Sequence, residues 1–364
     1  MKRIVLWAAL AGGLFLAAAC VSPATPPEPA PAMHTQRFEF VSDGHRLSGF
    51  VDTPADGAAQ AIIVIVHGYG ETDVAGHTSY YDLRSRLTAL GITTVIWDKP
   101  GCGESEGTFD INQPVDSSAR EVLDAIRHLR DSELPGARKI GLWGISRAGW
   151  IAPLAMTQDP GIAFWISVSG TDDKESFPYL LESNLRIEGR TEQEIKALVG
   201  EWRRGFEITR RGGTFEDYLA ATENLRRDPF MAFLSGGSDQ DKTAFLAEQK
   251  QFLSGRFQVD EHTGLMIYVA NFQEMLAHVN VPVLAIFGEK DSSVNWRGTA
   301  ALYSRTIGEN PHARLTIRTF PDGNHNIQQS RTGGLREMLE MRERRASVGY
   351  FEAMEDWLRT EVLK

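Results

Sequence analysis

Unbroken apolar runs alternate with amphipathic helical patterns along most of this chain, and that alternation restricts the fold more than any other feature. Ala61 to Val66 is a continuous aliphatic stretch, and Ile92 to Trp97, Lys139 to Trp143, Ile162 to Val168, Val281 to Phe287 and Leu315 to Phe320 read as further strands. Strands without a polar face are covered on both sides. Helical patterns fall between them, over roughly 79–90, 115–130, 147–157 and 297–307, with a last one over 346–362. Within 115–130, Val122, Leu123, Ile126 and Leu129 share one helix face. Strands alternating with helices imply the α/β class: a mainly parallel twisted sheet with helices on both faces. Ahead of these, residues 36–53 alternate apolar and polar around Asp43-Gly44, an antiparallel hairpin. No internal repeat is visible.

Regularity breaks over 171–278. That stretch carries Arg/Glu-rich helical segments such as 191–211 and scattered aromatics, among them Phe177, Tyr179, Trp202, Phe206, Phe215, Tyr218, Phe230, Phe233, Phe252 and Phe257. It reads as a mostly helical cap inserted between two sheet strands, leaving a core of 36–170 plus 279–364. Most of its aromatics are expected to form the cap's own core, with a few left to line a pocket. The length of 364 residues suits one large α/β domain with an insertion, or two small domains. A net charge of -10 with no basic stripe argues against a nucleic-acid partner. Cys20 and Cys102 are the only cysteines, too few for a disulfide scaffold or a zinc site. No metal or cofactor is expected. Cys102 reads as a small loop residue rather than a nucleophile.

The N-terminus has the form of an export segment over 1–20. Met1-Lys2-Arg3 precedes an apolar run from Ile4 to Ala19, and Cys20 follows. The run is shorter than a comfortable membrane span. The segment resembles a bacterial lipoprotein signal, which implies lipidation of Cys20 and membrane association through that lipid; simple secretion is the alternative. A Pro-rich stretch within 21–35 fits a tether. The expected location is exported, in the periplasm or cell envelope. The sequence carries no signal for an oligomeric state.

The strict pattern G-x-S-x-G occurs at Gly103-Glu104-Ser105-Glu106-Gly107, but no helix pattern follows it directly. A nucleophile elbow needs a strand, one sharp turn and a helix. Gly144-Ile145-Ser146-Arg147-Ala148-Gly149 has that context, with Ile140 to Trp143 before it and Ile151, Leu154 and Ala155 after it. Ser146 is therefore the candidate nucleophile. A serine needs a base, and the base needs an orienting acid. Asp291 follows the strand Val281 to Phe287, and His325 follows the strand Leu315 to Phe320. Both fall at carboxyl strand ends, where open α/β sheets place their sites. Asp172, Asp173 and Glu289 are rivals for the acid, while His278 and His312 precede strands and fall at the wrong end. His67-Gly68-Tyr69-Gly70 follows the first buried strand and offers backbone donors. The N–H groups of Tyr69 and Arg147 are the candidate oxyanion hole, with His67 shaping the loop.

On these motifs, together with Asp98-Lys99-Pro100-Gly101-Cys102-Gly103-Glu104-Ser105, the chain resembles the α/β-hydrolase superfamily from about residue 36 to the end. The last segment is similar to that family's Asp-x-x-Gly-x-Gly-x-Ser loop, a structural signature that accounts for Ser105. The resemblance implies acyl transfer without a cofactor, on a small-molecule acyl substrate: attack by Ser146, proton transfer through His325, orientation by Asp291. Serine in the elbow argues against the dehalogenase branch, which uses a carboxylate there. A carboxylic-ester hydrolase is the leading expectation. A capped peptidase or amidase and a thioesterase are the enzymatic alternatives, and a non-catalytic surface binding protein is the reading from another class.

Overall fold

The computed structural model describes residues 33–76, 79–172, 176–235, 241–260 and 263–364. The export segment with Cys20, most of the Pro-rich tether, and Asp173 lie outside the described residues. No helix among those described is long and apolar enough to cross a membrane.

The hairpin comprises β1 (Met33–Ser42) and β2 (His45–Pro54), paired antiparallel. Asp43 and Gly44 take φ of 49° and 77°, the doubly left-handed turn whose twist matches a two-residue hairpin. β3 (Ala61–Val66), β4 (Ile92–Trp97), β5 (Ile140–Ile145) and β6 (Trp165–Val168) follow. After a short separate hairpin, β7 (Gln258–Val259) and β8 (Met266–Ile267), come β9 (Pro282–Gly288) and β10 (Arg314–Phe320). The main sheet runs β1-β2-β4-β3-β5-β6-β9-β10. Every neighbour from β4 to β10 is parallel, and the hairpin adds an antiparallel edge through β2 and β4. The chain leaves β3 for β4 on one side and returns to β5 on the other. That reversal opens a crevice at the carboxyl ends of β3 and β5.

Helices cover both faces because strand side chains alternate. Ile62, Val64 and Val66 pack with residues of α2 (Val115–Arg130), α3 (Ala148–Gln158) and α11 (Trp296–Arg305). Ala61, Ile63 and Ile65 point the other way, toward α1 (Tyr81–Ala89) and α13 (Tyr350–Glu361). Both layers are dry, with all six residues of β3 buried. This α/β-hydrolase arrangement is the expected fold class.

Between β6 and β9 the chain forms α4 (Phe177–Ile187), α5 (Glu192–Arg210), α6 (Phe215–Ala221), α7 (Glu223–Arg227), α8 (Pro229–Leu234), α9 (Lys242–Leu253) and α10 (Phe272–Ala277). Thr191 and Glu194 close a capping box at the start of α5. Phe177, Leu181, Leu185, Ile195, Leu225 and Phe230 form a buried cluster apart from the two sheet layers. Leu335 and Met338 of α12 (Leu335–Glu340) join it. Three details depart from the sequence reading. β1 begins at Met33, within the expected tether; β6 is shorter than its apolar run; β7, β8 and α12 are too brief to leave a periodic signature.

A buried ion pair ties the edge hairpin to the helical layer. Arg84 of α1 donates to both carboxylate oxygens of Asp52 in β2, at 2.6 and 2.7 Å. Thr35 and Thr94 also donate to that carboxylate. The pair is almost wholly enclosed, so removing one partner strands a charge. Arg84→Met is expected to lower unfolding stability by about 3–5 kcal/mol, read from the urea midpoint of the chain from residue 33.

Candidate active site

Ser146 stands between β5 and α3 with φ 57°. A left-handed backbone at a residue other than glycine is strained and persists only where its surroundings hold it. Here Ser146 N–H donates to the Val168 carbonyl of β6 at 2.9 Å, and its carbonyl accepts from Gly149 N–H at 2.7 Å. The turn lifts the side chain out of the sheet plane, and Ser146 keeps some exposure while its neighbours in β5 and α3 are buried. Among the described residues its hydroxyl makes no hydrogen bond; in substrate-free sites such bonds are commonly long.

The carboxylate and the imidazole meet. His325 Nδ1 lies 2.8 Å from Asp291 Oδ2, and neither side chain has more than a tenth of its surface exposed. The other carboxylate oxygen accepts from Ser293 N–H at 2.8 Å and Val294 N–H at 2.9 Å. Asp291 is therefore fixed from both sides as an acceptor, so His325 presents Nδ1–H to it and leaves Nε2 as a base. The two loops touch because β9 ends in glycine: a methyl on Gly288 would sit 2.2 Å from the Asn324 carbonyl oxygen. From above, Tyr179 of α4 donates to the Asp291 carbonyl at 3.0 Å, and Asn184 donates to that of Ser292 at 3.2 Å. The sequence reading did not foresee these braces, because nothing in α4 marks which loop it crosses.

The rivals lie elsewhere. Asp172 is half-buried, and its backbone carbonyl accepts from the Trp150 indole. Glu289 accepts from Thr319 at 2.8 Å. His278 and His312 are exposed. Ser105 is buried away from the crevice, donating to the Asp98 carbonyl at 2.7 Å and accepting from Ser48 N–H at 2.9 Å. Cys102 is buried and free, and burial pushes its thiol upward, away from thiolate chemistry.

The loop after β3 lies against the elbow. A methyl on Gly68 would be 3.3 Å from Ser146 Cβ and 3.3 Å from the Ile145 carbonyl oxygen. This brings the Gly68–Tyr69 peptide beside the candidate nucleophile. His67 is held neutral, its pKa pressed to about 3 by burial and then by the charge of Lys99. Its Nε2–H donates to the Trp97 carbonyl at 2.9 Å, so it shapes the loop and is unsuited to act as a base. Beneath the loop sits a polar nest. Arg147, itself buried, donates to Ser118 at 3.0 Å and to the Gln113 carbonyl. Its guanidinium lies over the Tyr69 ring, 5.4 Å from the centroid. Lys99 reaches the Gly68 and Gly70 carbonyls at 2.5 and 2.8 Å. Glu121 completes the nest, its carboxyl raised by burial. Of these groups the sequence marked only the Arg147 backbone and, as one residue of the Asp98 to Ser105 loop, Lys99.

Sequence comparison adds three findings. A family model described as serine aminopeptidase, S33, matches residues 57–330. An acyltransferase of Aspergillus calidoustus is 35% identical over 83 residues, 22% of this chain and 26% of that protein. A thiohydrolase of Arthrinium phaeospermum is 29% identical over 138 residues, 37% of this chain and 42% of that one. The matches therefore span well under half the length of either relative. Among solved structures, an esterase of Pyrococcus furiosus superposes with a TM-score of 0.52 at 14% identity, covering 96% of this chain and 99% of that one. At that identity the likeness concerns the fold.

The hydrogen bonds of Ser105 imply a structural role. Ser105→Ala is expected to cost about 1–3 kcal/mol of unfolding free energy by leaving buried Ser48 N–H unpaired. Chemical denaturation monitored by tryptophan fluorescence measures it.

Proposed function

This chain belongs to the serine aminopeptidase S33 family of α/β hydrolases, and we propose that it cleaves a carboxylic ester or a related acyl bond through an acyl-enzyme on Ser146. The observation that carries this reading is the buried Asp291–His325 hydrogen bond of 2.8 Å, on loops that leave β9 and β10 at the same end of the sheet as the strained serine. Ser146 Oγ attacks the acyl carbon while His325 Nε2 takes its proton. The carbonyl oxygen becomes an oxyanion and accepts from the N–H groups of Tyr69 and Arg147. Collapse expels the alcohol, which leaves with the proton held on His325. Water then gives a proton to His325 and attacks the acyl-enzyme, releasing the acid and restoring Ser146. Asp291 holds the tautomer and stabilises the imidazolium in both halves.

An ester is favoured over a peptide by the state of the cap cations. Recognition of a chain end calls for unpaired charge near the crevice. Arg210 and Arg211 are both engaged by Glu207, at 2.6 and 2.8 Å, Arg203 donates to the Thr263 carbonyl at 3.3 Å, and Arg204 is exposed. Thioester cleavage is the second reading, favoured by the match to the fungal thiohydrolase; it uses the same residues with a thiol as leaving group. With Cys20 lipidated, the enzyme would work on a tether at a membrane of the cell envelope.

Hydrolysis of p-nitrophenyl esters of short and long acyl chains by the chain from residue 34 tests the proposal. Wild type is expected to turn over, Ser105→Ala to keep that activity, Ser146→Ala to lose about 10³-fold or more, and Asp291→Asn to lose on the order of 10³- to 10⁴-fold in kcat. Equal activity in wild type and Ser146→Ala would refute it.

A further inference from the structure

The Lys99 head group bonds the backbone of the loop that carries the Tyr69 N–H, while Arg147 lies over the Tyr69 ring. Lys99 belongs to the segment after β4, the strand beside β3, and its ammonium turns inward to the Gly68 and Gly70 carbonyl oxygens at 2.5 and 2.8 Å. The Gly68 carbonyl and the Tyr69 N–H are the two ends of one peptide group. In a trans peptide those ends point in opposite directions from a rigid plane, and this chain has no cis bond among the described residues. Holding the oxygen on one side therefore turns the N–H to the other, and the loop runs close to the elbow: a methyl on Gly68 would be 3.3 Å from Ser146 Cβ.

We propose that Lys99 is a positioning residue of the oxyanion hole, which orients and polarises the Gly68–Tyr69 peptide through the Gly68 carbonyl so that its N–H stabilises the transition state. The inference rests on the serine-hydrolase reading above. An ammonium on the carbonyl oxygen draws electron density from the peptide nitrogen, and hydrogen bonds in such a chain strengthen one another. The second bond, to Gly70, pins the far side of the same turn, so the loop is clamped at two points by one head group. Lys99, His67, Gln113, Ser118, Glu121 and Arg147 all border a cavity of about 20 Å³, whose remaining wall is apolar, Ile65, Val66 and Ile151 among it.

The surroundings of Lys99 give the clamp a pH signature. Arg147 at the start of α3 opposes its charge and Glu121 of α2 favours it, while the Cys102 thiol of its own loop, pushed upward by burial, and His67 beyond β3 are neutral. Burial, followed by Arg147, lowers the ammonium to about 7. The cation is thus present below neutrality and lost as pH rises through that value. A neutral amine still donates hydrogen bonds but polarises the peptide less.

The test is kcat and KM for a p-nitrophenyl ester between about pH 6 and about pH 9, for wild type, Lys99→Met and Lys99→Arg. Loss of one oxyanion donor typically costs about 10²- to 10³-fold in kcat. A misaimed donor is expected to cost about 10- to 100-fold in Lys99→Met, with KM changed by less than about threefold. Wild-type kcat should decline above neutrality, and Lys99→Arg, which stays charged, should lose that decline and recover part of the kcat lost in Lys99→Met. If Lys99→Met does not fold, the wild-type and Lys99→Arg profiles decide alone. A folded Lys99→Met with wild-type kcat, or a Lys99→Arg profile identical to wild type above neutrality, overturns the assignment while leaving the triad intact. A wild type inert to esters and to a fluorophosphonate overturns the hydrolase reading, and this inference with it.

Discussion

The left-handed backbone at Ser146 is the constraint around which the rest of the molecule is arranged. A serine with φ 57° has no intrinsic preference for that conformation, and its cost of about 1–3 kcal/mol must be met by fixed neighbours. The parallel sheet supplies them. β5 ends beside β6, so Ser146 N–H continues the ladder to Val168, while α3 begins at once and departs across the dry face formed with α2. The buried strands thus act as a rigid base that aims one hydroxyl outward. Parallel pairing brings the carboxyl ends of β3, β9 and β10 to the same edge of the sheet as Ser146.

The interval between β6 and β9 is stitched to this edge at two places. α4 crosses the loop of Asp291, where Tyr179 and Asn184 bond the consecutive backbone carbonyls of Asp291 and Ser292. On the opposite flank, Arg256 bonds Asp110 at 2.7 Å and the Asn112 carbonyl at 2.9 Å. The next residue, Gln113, accepts from Arg147, the neighbour of Ser146. α4 and the segment after α9 therefore bond the loop of Asp291 and the loop next to Gln113. Half-buried Tyr268, from the end of β8, stacks on buried Trp150 of α3 at 4.3 Å. This adds an apolar contact next to the same helix.

Much of this was legible in the sequence, for physical reasons. Strands buried on both faces leave near-continuous apolar runs, so β3, β4, β5 and β9 declare themselves; β10, a partly exposed edge strand, shows by its β-branched residues instead. The spacing of a strand, a small-residue turn and a helix separates Ser146 from the stricter motif at Ser105, whose hydroxyl serves the backbone of the Asp98 loop. Asp291 and His325 were readable because each directly follows a strand. What stayed hidden depends on which elements cross in space. Lys99 reads as one residue of a family loop until the pairing of β3 with β4 carries its head group beneath Gly68. Tyr179 and Asn184 look like any helix residues until α4 is laid over the acid loop. Short elements such as β7, β8 and α12 lack the length to show a period.

The central claim is that Ser146 alone carries an activated hydroxyl. Treating the soluble chain with a fluorophosphonate and locating the adduct by peptide mass spectrometry tests it most directly. The account predicts a single phosphonylated residue, Ser146, with labelling suppressed when Asp291 is changed to Asn. An adduct on Ser105 or another serine, or equal labelling after Ser146→Ala, would contradict it.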